Sequence, residues 1–84
     1  MAIYYVYVLK SLSFIKHYTG QTEDLERRLR EHNEGSLGVY TKNKGPWELI
    51  YFEKFDTRTE AMKREKYLKT GIGRAFLKRN VEKY

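Results

Sequence analysis

Five side chains in this sequence have the chemistry needed to cleave a phosphodiester bond: Tyr7, Tyr18, Arg28, His32 and Glu65. The two tyrosines stand where strand-like runs of residues end, and the arginine and histidine lie about one helical turn apart. A phenol or an imidazole can move a proton, a guanidinium stabilises charge on phosphate, and a carboxylate can hold a metal ion. This combination predicts metal-assisted hydrolysis rather than binding alone.

Glu65 interrupts the apolar stripe of its helix. At about 100° per residue it falls within a narrow arc that also contains Ala61 and Leu68. A carboxylate in such a stripe costs free energy unless a cation, a hydrogen bond or a metal ion meets it. The simpler interpretation is that Glu65 lies at the edge of the stripe and pairs with Lys69 or Arg64.

The other four residues also have simpler interpretations. Strand tyrosines are usually core residues, and an Arg28–His32 pair is usually a solvated helix face. What favours a site is that Tyr7 and Tyr18 lie on strands expected to be adjacent, followed by Gly20. We therefore expect Tyr7, Tyr18, Arg28 and Glu65 to converge on the face where the first two strands meet both helices.

The chain is small, basic and free of cysteine. Its 84 residues form one domain, 1–84, and the net charge of +6 favours a polyanionic partner such as nucleic acid. The lack of cysteine excludes disulfides, and the two histidines argue against a structural zinc site. No apolar run approaches the ~20 residues of a membrane span, and the first residues do not form a signal peptide. We expect a cytoplasmic protein with no membrane partner.

Periodicity and capping residues predict an α+β fold of order β-β-α-β-α-α, with a small three-stranded antiparallel sheet flanked by helices. The first strand has apolar residues on both faces, so it is expected in the centre of the sheet, paired with the second as a hairpin. Thr22 and the capping box Thr57–Glu60 predict the starts of two helices, and Gly35 and Gly71 their ends. The predicted strands are 3–10, 17–21 and 47–55, and the predicted helices 22–34, 57–70 and 72–81.

Further residues are candidates for contact with a nucleic acid backbone. Gly20 is predicted to let a substrate approach the strand end closely. Lys42 and Lys44 lie in a glycine-spaced loop after the first helix, and Lys78 and Arg79 lie in the last helix. Such lysines and arginines predict generic phosphate contacts.

The order and spacing of these residues resemble the GIY-YIG nuclease superfamily, and within it the very small single-domain bacterial proteins of the UPF0213 type. The two signature triplets correspond to 5–7, Tyr-Val-Tyr, and 18–20, Tyr-Thr-Gly. The arginine ten residues after the second tyrosine corresponds to Arg28, the histidine of the small members to His32, and the metal-binding glutamate to Glu65. The resemblance covers essentially the whole chain.

Two positions depart from the family pattern. Tyr5 and Val6 replace the leading glycine and isoleucine of the first triplet. Many members also carry an asparagine beyond the glutamate, whereas the comparable position here, near Leu77, is apolar and Asn80 is not an obvious substitute.

The resemblance implies hydrolysis of nucleic acid, most readily DNA of particular structure, with one divalent ion, Mg²⁺ or Mn²⁺, held by Glu65. Arg28 would stabilise charge on the phosphate, and His32 would position a tyrosine hydroxyl or relay its proton. We favour Tyr7 as the general base and Tyr18 as its positioning partner, although the sequence does not separate them.

Two other functional classes remain open from the sequence. A non-catalytic nucleic-acid-binding module would keep the scaffold and the charge, and an interaction protein would use the aromatic residues only as core. A pure binder gains nothing from Glu65 within a helix stripe, because a carboxylate repels phosphate unless a metal ion lies between them.

Overall fold

In the part of the chain that the structure describes, three strands and three helices follow one another in the predicted order. The structure, a computed structural model, describes residues 2–34 and 45–84, so Lys42 and Lys44 lie outside the described residues. No helix in these two segments is both long and apolar enough to cross a bilayer. The elements are β1 (Tyr4–Ser11), β2 (His17–Thr22), α1 (Leu25–Glu34), β3 (Trp47–Phe55), α2 (Arg58–Leu68) and α3 (Gly71–Asn80).

The strands form an antiparallel sheet of order β2-β1-β3, which confirms the α+β prediction and the central position of β1. In the register of β1 and β2, Tyr7 is opposite Gly20 and Leu9 is opposite Tyr18. The register against β3 shifts between Val8 and Leu9. Because β2 is an edge strand, one of its sides is open to groups from other elements.

Alternating side chains of β1 enter two separate hydrophobic clusters. Val6 and Val8 pack with α2 and α3, whereas Tyr7 and Leu9 pack with α1. The first cluster contains Val6, Val8, Ala61, Leu68, Leu77 and Val81, and the second contains Tyr7, Leu9 and Trp47 with Tyr18, Leu25, Leu29 and Leu49 around them. The helices therefore flank the sheet on opposite faces, and the prediction that both meet the first two strands on one face is wrong.

The first two helices begin at hydrogen-bonded polar residues. The α1 cap is Asp24, whose Oδ1 accepts from the Arg27 amide at 3.0 Å, so the predicted cap Thr22 lies two residues too early. Thr22 instead accepts from the Asp24 amide at 3.1 Å. The predicted cap of α2 is confirmed, since Thr57 Oγ1 accepts from the Glu60 amide at 3.2 Å.

The joint between α2 and α3 is tighter than predicted. Gly71 was expected to end one helix, but it begins the next, with Thr70 as the N-cap that accepts from the Gly73 amide at 3.1 Å. A Cβ on Gly73 would lie 2.0 Å from the Tyr67 carbonyl oxygen and 2.5 Å from the Leu68 Cα. Glycine therefore permits the start of α3 to pack directly on the end of α2.

Asn33 joins the end of α1 to the start of β3. Its Oδ1 accepts from the Trp47 amide at 2.6 Å, and its Nδ2 donates to the Trp47 carbonyl at 3.3 Å. Both hydrogen-bonding groups of one backbone residue are thus satisfied by one side chain. The pair fixes the last turn of α1, which carries His32, against the sheet.

Candidate active site

The Tyr7 ring crosses from the central strand over the edge strand. Tyr7 is 2% exposed and its hydroxyl lies 2.6 Å from the place where a Cβ of Gly20 would stand. The space above Gly20 is therefore filled by the phenol, and Gly20 is itself buried. The sequence predicts that a substrate approaches the backbone at Gly20. In the structure the Tyr7 side chain occupies that place, because Tyr7 and Gly20 are direct cross-strand partners.

His32 meets this hydroxyl from α1. Its Nε2 lies 2.9 Å from the Tyr7 oxygen in a buried hydrogen bond, and its ring centroid lies 4.7 Å from that of Tyr18. The Tyr7 and Tyr18 ring centroids are 6.2 Å apart. His32 reaches this position because it continues the stripe of Leu25 and Leu29, which packs on the Tyr7 face of the sheet.

Arg28 lies one turn before His32 on the same face of α1. Its Nε is 3.6 Å from the Glu31 carboxylate, too far for a hydrogen bond. Within residues 2–34 and 45–84, two buried side-chain nitrogens lack a hydrogen-bond partner, and they are Arg28 Nε and His32 Nδ1. Buried polar groups are normally satisfied, so two unsatisfied ones in adjacent turns distinguish this cluster from ordinary core and make it a candidate functional site.

Glu65 approaches from α2, on the other side of the sheet. Its side chain is 20% exposed and accepts from Lys69 Nζ at 2.7 Å, the ion pair that the simpler interpretation predicts. Its charge nevertheless contributes to raising the pKa of Tyr7. The helix that carries Glu65, α2, contacts both β1 and β2.

Burial sets the protonation states of the Tyr7–His32 pair. Burial raises the pKa of Tyr7 well above 10, the nearby Tyr18 and Glu65 raise it further, and Arg28 opposes them. Burial, with a smaller effect from Arg28, lowers the pKa of His32 to about 4. At neutral pH the tyrosine therefore keeps its proton and the histidine is uncharged.

The low pKa of His32 predicts a pH-dependent stability. Between pH 6.5 and about 4 the unfolded chain binds a proton at His32 that the folded chain does not. Stability is therefore fully present above pH 6.5, and we expect the free energy of unfolding to fall by about 3 kcal/mol across this window. The measurement is urea denaturation of wild type and His32→Gln, which keeps an acceptor for Tyr7 but does not titrate.

His17→Gln is the control for that experiment, since it also removes one histidine. It should keep the pH dependence, whereas His32→Gln should lose the part between pH 6.5 and 4. Equal slopes in His32→Gln and wild type would rule out His32 as the source.

Two further residues predicted to contact phosphate lie in α3. Lys78 and Arg79 are exposed in the last turn of α3. Leu77 is fully buried in the core, and Asn80 donates to the Phe76 carbonyl of its own helix at 2.8 Å, so neither extends the site.

Sequence reasoning missed a cleft beside the cluster, between β2 and the α2–α3 joint. Lys69, Arg74 and Tyr84 line it together with His17. The only signal in the sequence was the presence of lone basic and aromatic residues, which gives no indication that they come together.

No group of three or more His, Cys, Asp or Glu side chains in the described part of the chain is arranged to hold a metal ion. A cation at Glu65 would therefore have one protein carboxylate, with water and substrate oxygens as its other ligands. This is a common arrangement for Mg²⁺, which keeps several waters and often binds through one or two carboxylates and a phosphate.

Comparison with known proteins agrees with the geometry. A family model described as the GIY-YIG catalytic domain matches residues 3–78. A UPF0213 protein of Clostridium perfringens is 46% identical over 65 residues, covering 77% of this chain and 69% of the relative. A UPF0213 protein of Natronomonas pharaonis is 42% identical over 80 residues, covering 95% of this chain and 92% of the relative.

A solved structure has the same fold. The solution structure of a UPF0213 protein from Bacillus halodurans superposes with a TM-score of 0.53 at 32% identity, covering 89% of this chain and 81% of the other. Sequence and backbone similarity therefore extend together over nearly all of the given sequence.

Proposed function

This chain belongs to the GIY-YIG family, and from that membership we propose that it is a metal-dependent endonuclease that hydrolyses phosphodiester bonds in DNA. The observation that carries the proposal is the Tyr7–His32 hydrogen bond, which lies within the electrostatic reach of both Arg28 and Glu65. The net charge of +6 supports a polyanionic substrate. We further propose selectivity for DNA structure rather than for base sequence, because contacts of basic side chains with the phosphate backbone carry no sequence information.

The proton of the attacking water passes through Tyr7. Since the raised pKa of Tyr7 makes a free phenolate rare at neutral pH, Tyr7 accepts the proton while it donates its own to His32 Nε2, 2.9 Å away. The water oxygen bonds to phosphorus as the bond from phosphorus to the leaving oxygen breaks. Tyr18 packs beside both rings and holds them in place.

Substrate binding improves His32 as the final proton acceptor. The Arg28 cation contributes to the low pKa of His32, and a phosphate docked on Arg28 neutralises that effect. The Arg28 side chain is one-third exposed, and its guanidinium donates to a phosphate oxygen, where it stabilises the charge of the transition state.

Glu65 is the proposed ligand of one divalent ion, Mg²⁺ or Mn²⁺. Such an ion, when bound, supplies Lewis-acid stabilisation to the scissile phosphate and the leaving oxygen. The Glu65 carboxylate is largely buried and its charge acts on Tyr7, which supports this assignment. An i,i+4 pair to a half-exposed lysine contributes only about 0.5 kcal/mol, so Lys69 is a weak competitor for the carboxylate.

The same ion pair favours the second candidate, a non-catalytic nucleic-acid-binding module. Lys69 satisfies Glu65 without any metal ion, as in an ordinary structural pair. The deciding experiment is a cleavage assay with Mg²⁺ or Mn²⁺ on duplex, single-stranded, flap and branched DNA, with RNA of the same shapes for comparison. Binding without cleavage on every substrate and with either ion would establish the second candidate.

Gly20→Ala is expected to slow cleavage by about tenfold. Misplacing a catalytic group by ~1 Å can lower the rate by about 10², so a smaller displacement of Tyr7 is sufficient for this loss. The added methyl would lie 2.6 Å from the Tyr7 hydroxyl and 3.0 Å from a Tyr18 ring carbon, so the phenol must shift and its hydrogen bond to His32 is disturbed. The measurement is the single-turnover cleavage rate. Gly71→Ala is the matched control, since a Cβ there has no neighbour within 4 Å, and a rate equal to wild type in both variants would contradict the prediction.

A further inference from the structure

A cleft of about 400 Å³ lies beside the candidate active site, between β2 and the joint of α2 and α3. Its walls include His17, Tyr18, Lys69, Arg74 and Tyr84. The volume is within the range of ~300–1,000 Å³ typical of small-molecule sites. None of the roles derived above uses His17, Arg74 or Tyr84.

One wall of the cleft is aromatic. The His17 and Tyr84 rings stack with centroids 3.9 Å apart and an angle of 12° between their planes. A hydrogen bond of 2.9 Å between His17 Nε2 and the Tyr84 carbonyl holds the two residues together. Tyr84 is therefore a fixed ring beside the cleft, which suits stacking with a nucleobase.

Two other residues of the lining are cationic. Arg74 is exposed and forms no ion pair with the rest of residues 2–34 and 45–84. The Lys69 side chain is 52% exposed, and its bond to Glu65 is the weak pair described above. A guanidinium, an ammonium and a stack of two rings in the lining of one cleft match the phosphate and the base of one nucleotide.

The cleft is continuous with the catalytic cluster. Tyr18 lines the cleft and also packs against His32, and Lys69 lines the cleft and also binds Glu65. We propose that this cleft binds the nucleotide next to the scissile phosphate, with its base on the His17–Tyr84 stack and its phosphate between Arg74 and Lys69. The inference rests on the proposed function for its place on the substrate, but the binding itself requires neither metal nor cleavage.

Lys69 links the cleft to Glu65. While it holds the carboxylate, Lys69 is only partly available to a phosphate in the cleft. Removing the Glu65 charge releases it, so Glu65→Gln should bind a phosphorylated nucleoside about twofold more tightly, the factor expected for a weak i,i+4 pair. A purely structural pair outside any binding site would not produce this gain.

The test uses thymidine 5′-monophosphate, titrated without divalent ions and followed by the amide resonances of the ¹⁵N-labelled protein. The largest shifts should fall on His17, Thr19, Lys69 and Arg74. Thymidine and inorganic phosphate are titrated separately, and each should bind more weakly than the nucleotide. Phosphate that binds as tightly as the nucleotide would overturn the base contact, and shifts spread over the whole basic surface would overturn the site.

Variants complete the test. Arg74→Ala should weaken nucleotide binding by about tenfold, the loss expected for a charge-assisted hydrogen bond. Lys63→Ala removes the same charge from the exposed side of α2, about 160° from Glu65, and should leave binding unchanged. Equal affinity in Arg74→Ala and wild type would refute the inference, whereas loss of cleavage alone would not, since binding is measured without it.

Discussion

Glu65→Gln should abolish metal-dependent cleavage while leaving the fold intact. The substitution keeps the size and the hydrogen-bonding capacity of the side chain but removes the charge that holds a divalent ion. Folding should survive because the lost ion pair with Lys69 is half exposed and contributes about 0.5 kcal/mol or less. The measurements are the cleavage rate across a Mg²⁺ and Mn²⁺ titration and the thermal midpoint of unfolding.

Glu60→Gln is the matched control for this variant. It makes the same chemical change on the same helix, at an exposed position whose capping box accepts glutamine as well as glutamate. It should cleave at the wild-type rate. Metal-dependent activity that persists in Glu65→Gln would exclude Glu65 as the metal ligand and with it the proposed mechanism.

Arg28→Ala should lower turnover by about 10²–10³, the usual cost of removing one electrostatic stabiliser of a transition state. The effect on DNA binding should be much smaller, because one of 17 Lys and Arg side chains is lost and most phosphate contacts remain. Single-turnover rates at saturating DNA report the first quantity, and binding in the presence of Ca²⁺ or EDTA reports the second.

Arg27→Ala is the control for Arg28, since it removes the same charge from the neighbouring position of α1. The Arg27 side chain is 55% exposed and contacts Glu31 only at 4.0 Å. It should lower turnover little. If binding falls as much as turnover in Arg28→Ala, then Arg28 contributes to docking the DNA and not to the transition state.

Local signals in the sequence were sufficient for most of the fold. The aromatic-rich run after Pro46 predicted β3 at the residues where it is found, Trp47–Phe55. The start of α1 was predicted two residues early because Thr22 and Asp24 are both capping residues and both form the expected hydrogen bonds. Sequence alone does not decide between two such candidates.

Local sequence signals predicted the candidate site only in part. Residue types pointed to Tyr7, His32 and Glu65, but not to helices on opposite faces of the sheet. That arrangement depends on which side chains of β1 enter which cluster, and the Tyr7–His32 bond joins residues 25 apart in the chain. The cleft could not be predicted from local signals either, because His17 and Tyr84 are 67 residues apart in the chain.

The double hydrogen bond of Asn33 to Trp47 has a consequence for how this family can vary. The Asn33 side chain holds the end of α1 against the start of β3 through these two hydrogen bonds. The last turn of α1 is thus held to the sheet by contacts of its own, so His32 stays opposite Tyr7 whatever the length of the segment from 35 to 44.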